Sequence, residues 1–155
     1  QSSHEKIEKS MLENGLDNKK WNIYHPDPGD KNIDGENIVP LSFHSRSRSR
    51  NARSIDIIIE SIPKNDKIIF YGFMKFSAAS GGLQSRHQSH EAREWLKAAM
   101  EHVSTNNNKT YFFLISDGKE GERQLKTYKE DIRRFNDRIF VGNTDDIIKL
   151  IKTYE

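Results

Sequence analysis

Apolar residues recur every third or fourth position in four stretches of the chain and run almost unbroken in four others, so helices and strands are expected to alternate. Ser3 to Leu16 reads as a helix with Ile7, Met11 and Leu12 as its apolar stripe. Ser3 is its expected N-cap, without a capping box because Lys6 stands at N3, and Gly15 is its stop. Asn18 to Asn37 reads as a loop rich in turn residues (Pro26, Pro28, Gly29, Gly35), and Ile38 to Phe43 as a short strand interrupted by Pro40. Ser45 to Ser54 shows no hydrophobic period. Ile55 to Glu60 and Lys67 to Ser77 read as a hairpin turned at Pro63 to Asp66.

Ala78 to Leu83, with Ser80-Gly81-Gly82, is an expected turn. The helix after it carries Ala92, Trp95, Leu96, Ala99, Met100 and Val103 on one face. Tyr111 to Ser116 is an expected buried strand closed by Asp117-Gly118. Leu125, Tyr128, Ile132 and Phe135 mark a helix, Arg138 to Val141 a short strand, and Ile147, Ile148, Leu150, Ile151 and Tyr154 a last helix capped by Thr144. Trp21 and Trp95 are expected in the core. The expected fold class is therefore α/β, a central mixed sheet flanked by helices, in one domain spanning 1–155 without internal repeats.

Composition narrows the chemistry. The chain has 155 residues and no cysteine, which excludes disulfide scaffolds, thiolate zinc sites and cysteine nucleophiles. Absent cysteine fits a reducing, cytoplasmic setting. No apolar run approaches the ~20 residues of a membrane helix. Gln1 is not an initiator Met, so a piece of a longer chain is expected. Net charge is only +2, but Arg46, Arg48, Arg50 and Arg53 lie together in a stretch without acids.

Two residues stand out for catalysis. Asp56 lies among four isoleucines, where an acid is costly to bury without a partner. It is either a metal ligand or the solvent-facing acid of an edge strand. By alternation Asp56, Ile58 and Glu60 share one face, and Ile55, Ile57 and Ile59 the other. Lys75 sits in Phe73-Met74-Lys75-Phe76-Ser77, sharing a face with Phe73 and Ser77, and is either a functional cation or the outward residue of an amphipathic strand.

An acid on one hairpin strand and a lysine on the next, then a Gly-rich turn and a polar helix, resembles the PD-(D/E)XK nuclease superfamily. The order of Ser80-Gly81-Gly82, helix and strand Tyr111 to Ser116 looks like that of type IIS restriction-enzyme cleavage domains. The resemblance spans roughly Ser45 to Ile151. It implies a restriction-endonuclease-like fold and a metal-dependent endonuclease hydrolysing DNA phosphodiester bonds. Carboxylates would hold Mg²⁺ or Mn²⁺, and Lys75 would position or activate the attacking water. The chain departs from the pattern at one place: the acid expected two residues before Lys75 is Phe73. Either the site is dead, or the register puts Ser77 in the lysine position, or the acid has moved. Glu91, at the start of the following helix, and Glu60 are the candidates for a moved acid, so the expected catalytic set is Asp56, Lys75 and Glu91, and the metal set Asp56, Glu91 and Glu60. An ordinary acid in a first helical turn is the plain alternative for Glu91.

For nucleic-acid binding the candidates are Arg46, Arg48, Arg50 and Arg53 in a flexible basic arm (45–54), with Gln84, Arg86, His87 and Gln88 on the polar helix. DNA is the expected partner, with RNA left open, and a homodimer or a larger parent protein the expected assembly. His87 and His90 are spaced for a zinc pair, but no further ligands accompany them. Two other classes stay open: a catalytically inactive nuclease-like domain serving DNA binding or protein interaction, favoured by Phe73, and a nuclease toxin domain.

Overall fold

The structure, a computed structural model, describes residues 3–26, 32–34, 37–39, 53–63, 65–78, 82–106 and 108–155. Among them the elements run α1 (Ser3–Gly15), β1 (Trp21–Tyr24), β2 (Asn32–Asp34), β3 (Asn37–Val39), β4 (Arg53–Ser54), β5 (Ile57–Ser61) and β6 (Ile69–Phe76). Then come α2 (Gly82–Thr105), β7 (Thr110–Asp117), α3 (Lys119–Arg123), α4 (Leu125–Asp131), a 3-10 turn at Arg133–Phe135, β8 (Ile139–Gly142) and α5 (Thr144–Lys152). The class is α/β, as expected. A five-stranded sheet has the order β1-β5-β6-β7-β8. β1, β5 and β6 are antiparallel neighbours, whereas β7 and β8 join parallel to β6. A helix connection is what parallel neighbours require, and α2 supplies it between β6 and β7.

Each face of the sheet carries its own core. Ile58, Trp95, Leu96, Phe112, Leu114 and Tyr128 pack under α2 and α4, while Leu12, Ile57, Phe70, Met74, Phe113 and Ile147 pack under α1 and α5. The second sheet, β3-β2-β4, joins the first core through the fully buried Ile33. Both tryptophans are buried. No helix among the described residues is long and apolar enough to cross a membrane.

Several expectations need correction. The loop read at Asn18 to Asn37 contains β1 and β2. β1 is held by pairing with β5, Trp21 opposite Ser61 and Tyr24 opposite Ile58, a partner that local propensity does not show. Asn37–Val39 forms β3, while 40–43 lie outside the described residues. The strand read at Ile55 to Glu60 begins only at Ile57, and Ile55 joins Ile58 in one core rather than Ile57 and Ile59 in the other. The irregular residues 55 and 56 before β5 break the alternation. In α1 the buried row is Glu8 and Leu12, continued by Leu16, whereas Ile7 is 57% and Met11 41% exposed. Ile7 and Met11 each precede the buried row by one residue, about 100° around the helix. The cap of α5 is Asn143, not Thr144. Asn143 accepts from the Asp146 N–H at 2.8 Å, and the Asp146 carboxylate accepts from the Asn143 N–H at 3.0 Å.

Candidate active site

The parallel strands β6 and β7 end side by side, Lys75 opposite Ser116 and Phe76 opposite Asp117, where the antiparallel β5 begins. Such carboxyl ends of parallel strands are where open α/β sheets commonly hold ligands. Gly118 follows at φ 84°, a left-handed conformation that lets the chain turn at once into α3.

Asp56 sits just ahead of β5. Its N–H donates to the Gly72 carbonyl at 2.9 Å, and its carboxylate accepts from the Met74 N–H at 3.0 Å. The side chain thus takes the place of a backbone partner for β6. Burial pushes its pKa up to about 7 against the opposing Met74 N–H, and Glu5 and Glu91 add to the rise. The Asp56 carbonyl lies 2.8 Å from His25 Nδ1.

Glu8 of α1 comes to the same strand ends. It is only 4% exposed, and its Oε1 has no hydrogen-bond partner among the described residues. Burial pushes its pKa up to about 9. The neighbouring Asp117, by charge and by a side-chain hydrogen bond, raises it further, as do Asp56 and Glu5. Asp117 is itself fixed by the start of α5, accepting from Thr144 N at 2.9 Å and Thr144 Oγ1 at 2.5 Å. Two acids held above their ordinary range and within reach of each other's charge mark a candidate functional site.

Lys75 is placed differently. It is buried and donates to Gln124 Oε1 and, at 2.9 Å, to the Tyr128 hydroxyl. Burial lowers its pKa to about 8, against the opposing charge of Glu120. Phe73, on the same face, packs its ring on Trp95 with 5.7 Å between centroids. Ser77 donates to Gln88 Oε1 at 2.7 Å. Asp56 is not among the charges that shift Lys75, so the expected acid and lysine share a strand end without pairing.

The other expected residues divide. Glu91 is exposed and pairs with His87 at 3.0 Å, reaching Asp56 only through its charge. Glu60 is not brought to the site: it accepts from Lys67 at 2.9 Å, four residues along the chain from Asp56, or about 13 Å at ~3.3 Å per residue. Arg86 is exposed, Gln88 is held by Ser77, and Gln84 lies in the first turn of α2. His90 is 4.0 Å from Glu94, so His87 and His90 each face an acid one turn on. Arg53 opens β4, opposite Ile33. Arg46, Arg48 and Arg50 lie outside the described residues.

Sequence reasoning missed Glu8, Asp117, Gln124 and Tyr128 as site residues. The signal for Glu8 was its place four residues before Leu12 and eight before Leu16, one row along the helix.

The donor chemistry of Asp56 and Glu8 is hard oxygen, which suits Mg²⁺ or Mn²⁺. Among the described residues no group of three or more His, Asp or Glu side chains is arranged to hold a metal ion. Mg²⁺ needs fewer, since one or two carboxylates suffice when substrate phosphates and water complete its shell. The unpartnered Glu8 Oε1 beside a second, half-buried acid is the observation that fits a cation. Phe73 does not fit: it offers no ligand.

No family model matches the chain, and no curated protein matches it. A solved structure similar to it is that of MunI restriction endonuclease in complex with cognate DNA. The two share 12% identity over 84% of this chain and 78% of that one, with a TM-score of 0.33. A likeness of that size identifies neither a family nor an activity.

Proposed function

We propose that this domain is a metal-dependent endonuclease hydrolysing DNA phosphodiester bonds, with Asp56 and Glu8, rather than Asp56 and Glu91 or Glu60, as the metal-holding acids. The observation that carries the reading is a half-buried Asp56 and a buried Glu8, both raised in pKa, where β5 begins and β6 and β7 end. It is supported by the resemblance of the hairpin to the PD-(D/E)XK pattern, in which Asp56 matches the first acid. A bound Mg²⁺ or Mn²⁺ would supply Lewis-acid polarisation of a phosphoryl oxygen and a lower pKa for water.

The chain's own residues do the rest. The Met74 N–H orients the Asp56 carboxylate and favours its ionised form. Asp117, locked by Thr144, orients the Glu8 carboxyl. Lys75, held by Gln124 and Tyr128, lies on the α2–α4 face of the sheet, opposite the face of Glu8, and would offset charge on phosphate only from that side. The Arg46 to Arg53 stretch and Arg86 would meet the nucleic-acid backbone.

The test is plasmid cutting with Mg²⁺, Mn²⁺ or EDTA, beside Asp56→Asn, Glu8→Gln and Lys75→Ala. Cutting that needs metal and falls at least ~100-fold in Asp56→Asn and Glu8→Gln supports the reading. Cutting that survives in both variants refutes it. A competing RNA substrate decides the nucleic acid. The packing of Phe73 against Trp95 favours a second reading, a nuclease-like domain that binds DNA without cutting it. That reading wins if no metal supports cutting while the unchanged chain still binds DNA in a salt-dependent way.

A further inference from the structure

The row of α1 that carries Glu8 begins with an aromatic ring. His4 stands four residues before Glu8 on the same side of the helix, about 6 Å earlier along the axis. Its ring stacks on that of Phe76, with 4.1 Å between centroids and 13° between planes. Phe76 ends β6 opposite Asp117, and by strand alternation it shares with Met74 the face of the sheet under α1. The stack therefore sits at the strand ends that hold the acids. Phe76 covers one face of the His4 ring, yet His4 as a whole is exposed.

Apolar surface continues from the ring. Ile7, three residues on and so a neighbour of His4 on the helix surface, is 57% exposed, and Met11, one turn further, is 41% exposed. Met11 also lines a cavity of about 370 Å³ together with Asp117, Gly118 and Thr144. An open ring and two apolar side chains thus run along the border of the acid pair, and contiguous apolar surface beside a polar site marks a place of contact.

We propose that His4 is a stacking platform for one unpaired nucleobase of the DNA substrate, with Phe76 beneath it and Ile7 at its side. The inference rests on the DNA-cleaving reading for its partner and adds the form in which that DNA is held. The surroundings select the occupant. Acids suited to a cation, and through it to a phosphate, lie one helical turn from a flat open ring, and a phosphate joined to a flat ring is a nucleotide. A base inside a duplex already stacks on both neighbours and has no face to give. Only a base at a strand end, in a bulge or turned out of the helix can lie on His4, as unpaired bases do on aromatic side chains elsewhere. Shielding of Phe76 from water is the plain alternative, and a leucine would shield it as well.

The probes are two oligonucleotide duplexes that differ at one place, a 2-aminopurine that is either paired with thymine or left unpaired as a bulge. Each is titrated into the whole chain in EDTA, so that cutting plays no part. The unpaired probe should bind at least ~10-fold tighter than the paired one, with its fluorescence further quenched in the complex. His4→Leu should weaken the unpaired probe at least about fivefold and leave the paired probe unchanged, whereas His4→Tyr should keep the preference. Equal binding of the two probes, unchanged fluorescence on binding, or a His4→Leu variant that binds the unpaired probe as the wild type does overturns the proposal. So does failure of both probes to bind. Cutting is read separately. Metal-dependent cutting by a chain with no preference for the unpaired base sinks the platform alone, and a retained preference without cutting under any metal sinks the nuclease alone.

Discussion

Replacing Glu8 with glutamine should stabilise the protein, and by an amount that grows with pH. Glu8 is nearly enclosed, beside Asp117, and its pKa stands at about 9 against an ordinary 4.5. Between those values the folded state holds a proton that the unfolded chain has released. Stability from this group is therefore fully present below the ordinary value and is lost as pH rises toward about 9. Each unit in that window costs about 1.4 kcal/mol, so from pH 5 to pH 8 the wild type loses about 4 kcal/mol relative to Glu8→Gln, and less where water reaches the carboxyl. Asp56 titrates in both proteins and cancels in the difference. Glutamine keeps the shape and a donor toward Asp117, and any mismatch it introduces is independent of pH. The assay is urea unfolding of both proteins in EDTA at several pH values. At ~1–3 kcal/mol per molar urea, the gap between their midpoints should widen by at least about 1 M from pH 5 to pH 8. A gap that stays flat refutes the claim that Glu8 is held protonated by burial, and with it the case for an acid pair awaiting a cation. At pH 8, Mg²⁺ or Mn²⁺ should raise the midpoint of the wild type and not that of Glu8→Gln.

Lys75→Met should gain stability below about pH 8, because burial holds the Lys75 pKa below its ordinary 10.5; the gain should shrink as pH rises from about 8 toward that value, read by the same unfolding series. Asn143→Ala should cost about 1 kcal/mol in thermal or urea unfolding through loss of the α5 capping box. Gly72→Ala should cost about 1–3 kcal/mol or more by the same measurement, since a Cβ there would lie 2.2 Å from Phe113 Cζ and 2.8 Å from Ile57 Cγ2.

Much of the frame was legible because it rests on local pattern. The face of Ala92, Trp95, Leu96, Ala99 and Val103 is buried as its spacing requires. The hairpin of β5 and β6 and the alternation after it follow from β-branched and aromatic runs separated by turn residues. Asp56 was legible as an acid out of place among isoleucines, and it is indeed partly enclosed and raised. Lys75 was legible as a lysine among aromatics, and it is buried, though against Gln124 and Tyr128, with Glu120 rather than Asp56 as the acid whose charge reaches it. Glu8 and Asp117 were not legible as partners, because they are 109 positions apart and meet only when α1 lies on the sheet beside the end of β7.

What the sequence by itself determined is the class of fold: periods of two and of three to four residues are properties of single segments, and they survive without knowledge of neighbours. It also determined what is absent, with no cysteine for thiolate chemistry. Only the tertiary structure decided that Trp21–Tyr24 is a strand, since β1 exists by pairing with β5. It alone turned Glu8 inward while leaving Ile7 and Met11 in water, because the side of α1 that packs is set by α5 and the sheet, not by the helix's own apolar content. And it alone gathered carboxyls from α1, the start of β5 and the end of β7, since the charge and burial that shift a pKa depend on distance through space rather than along the chain.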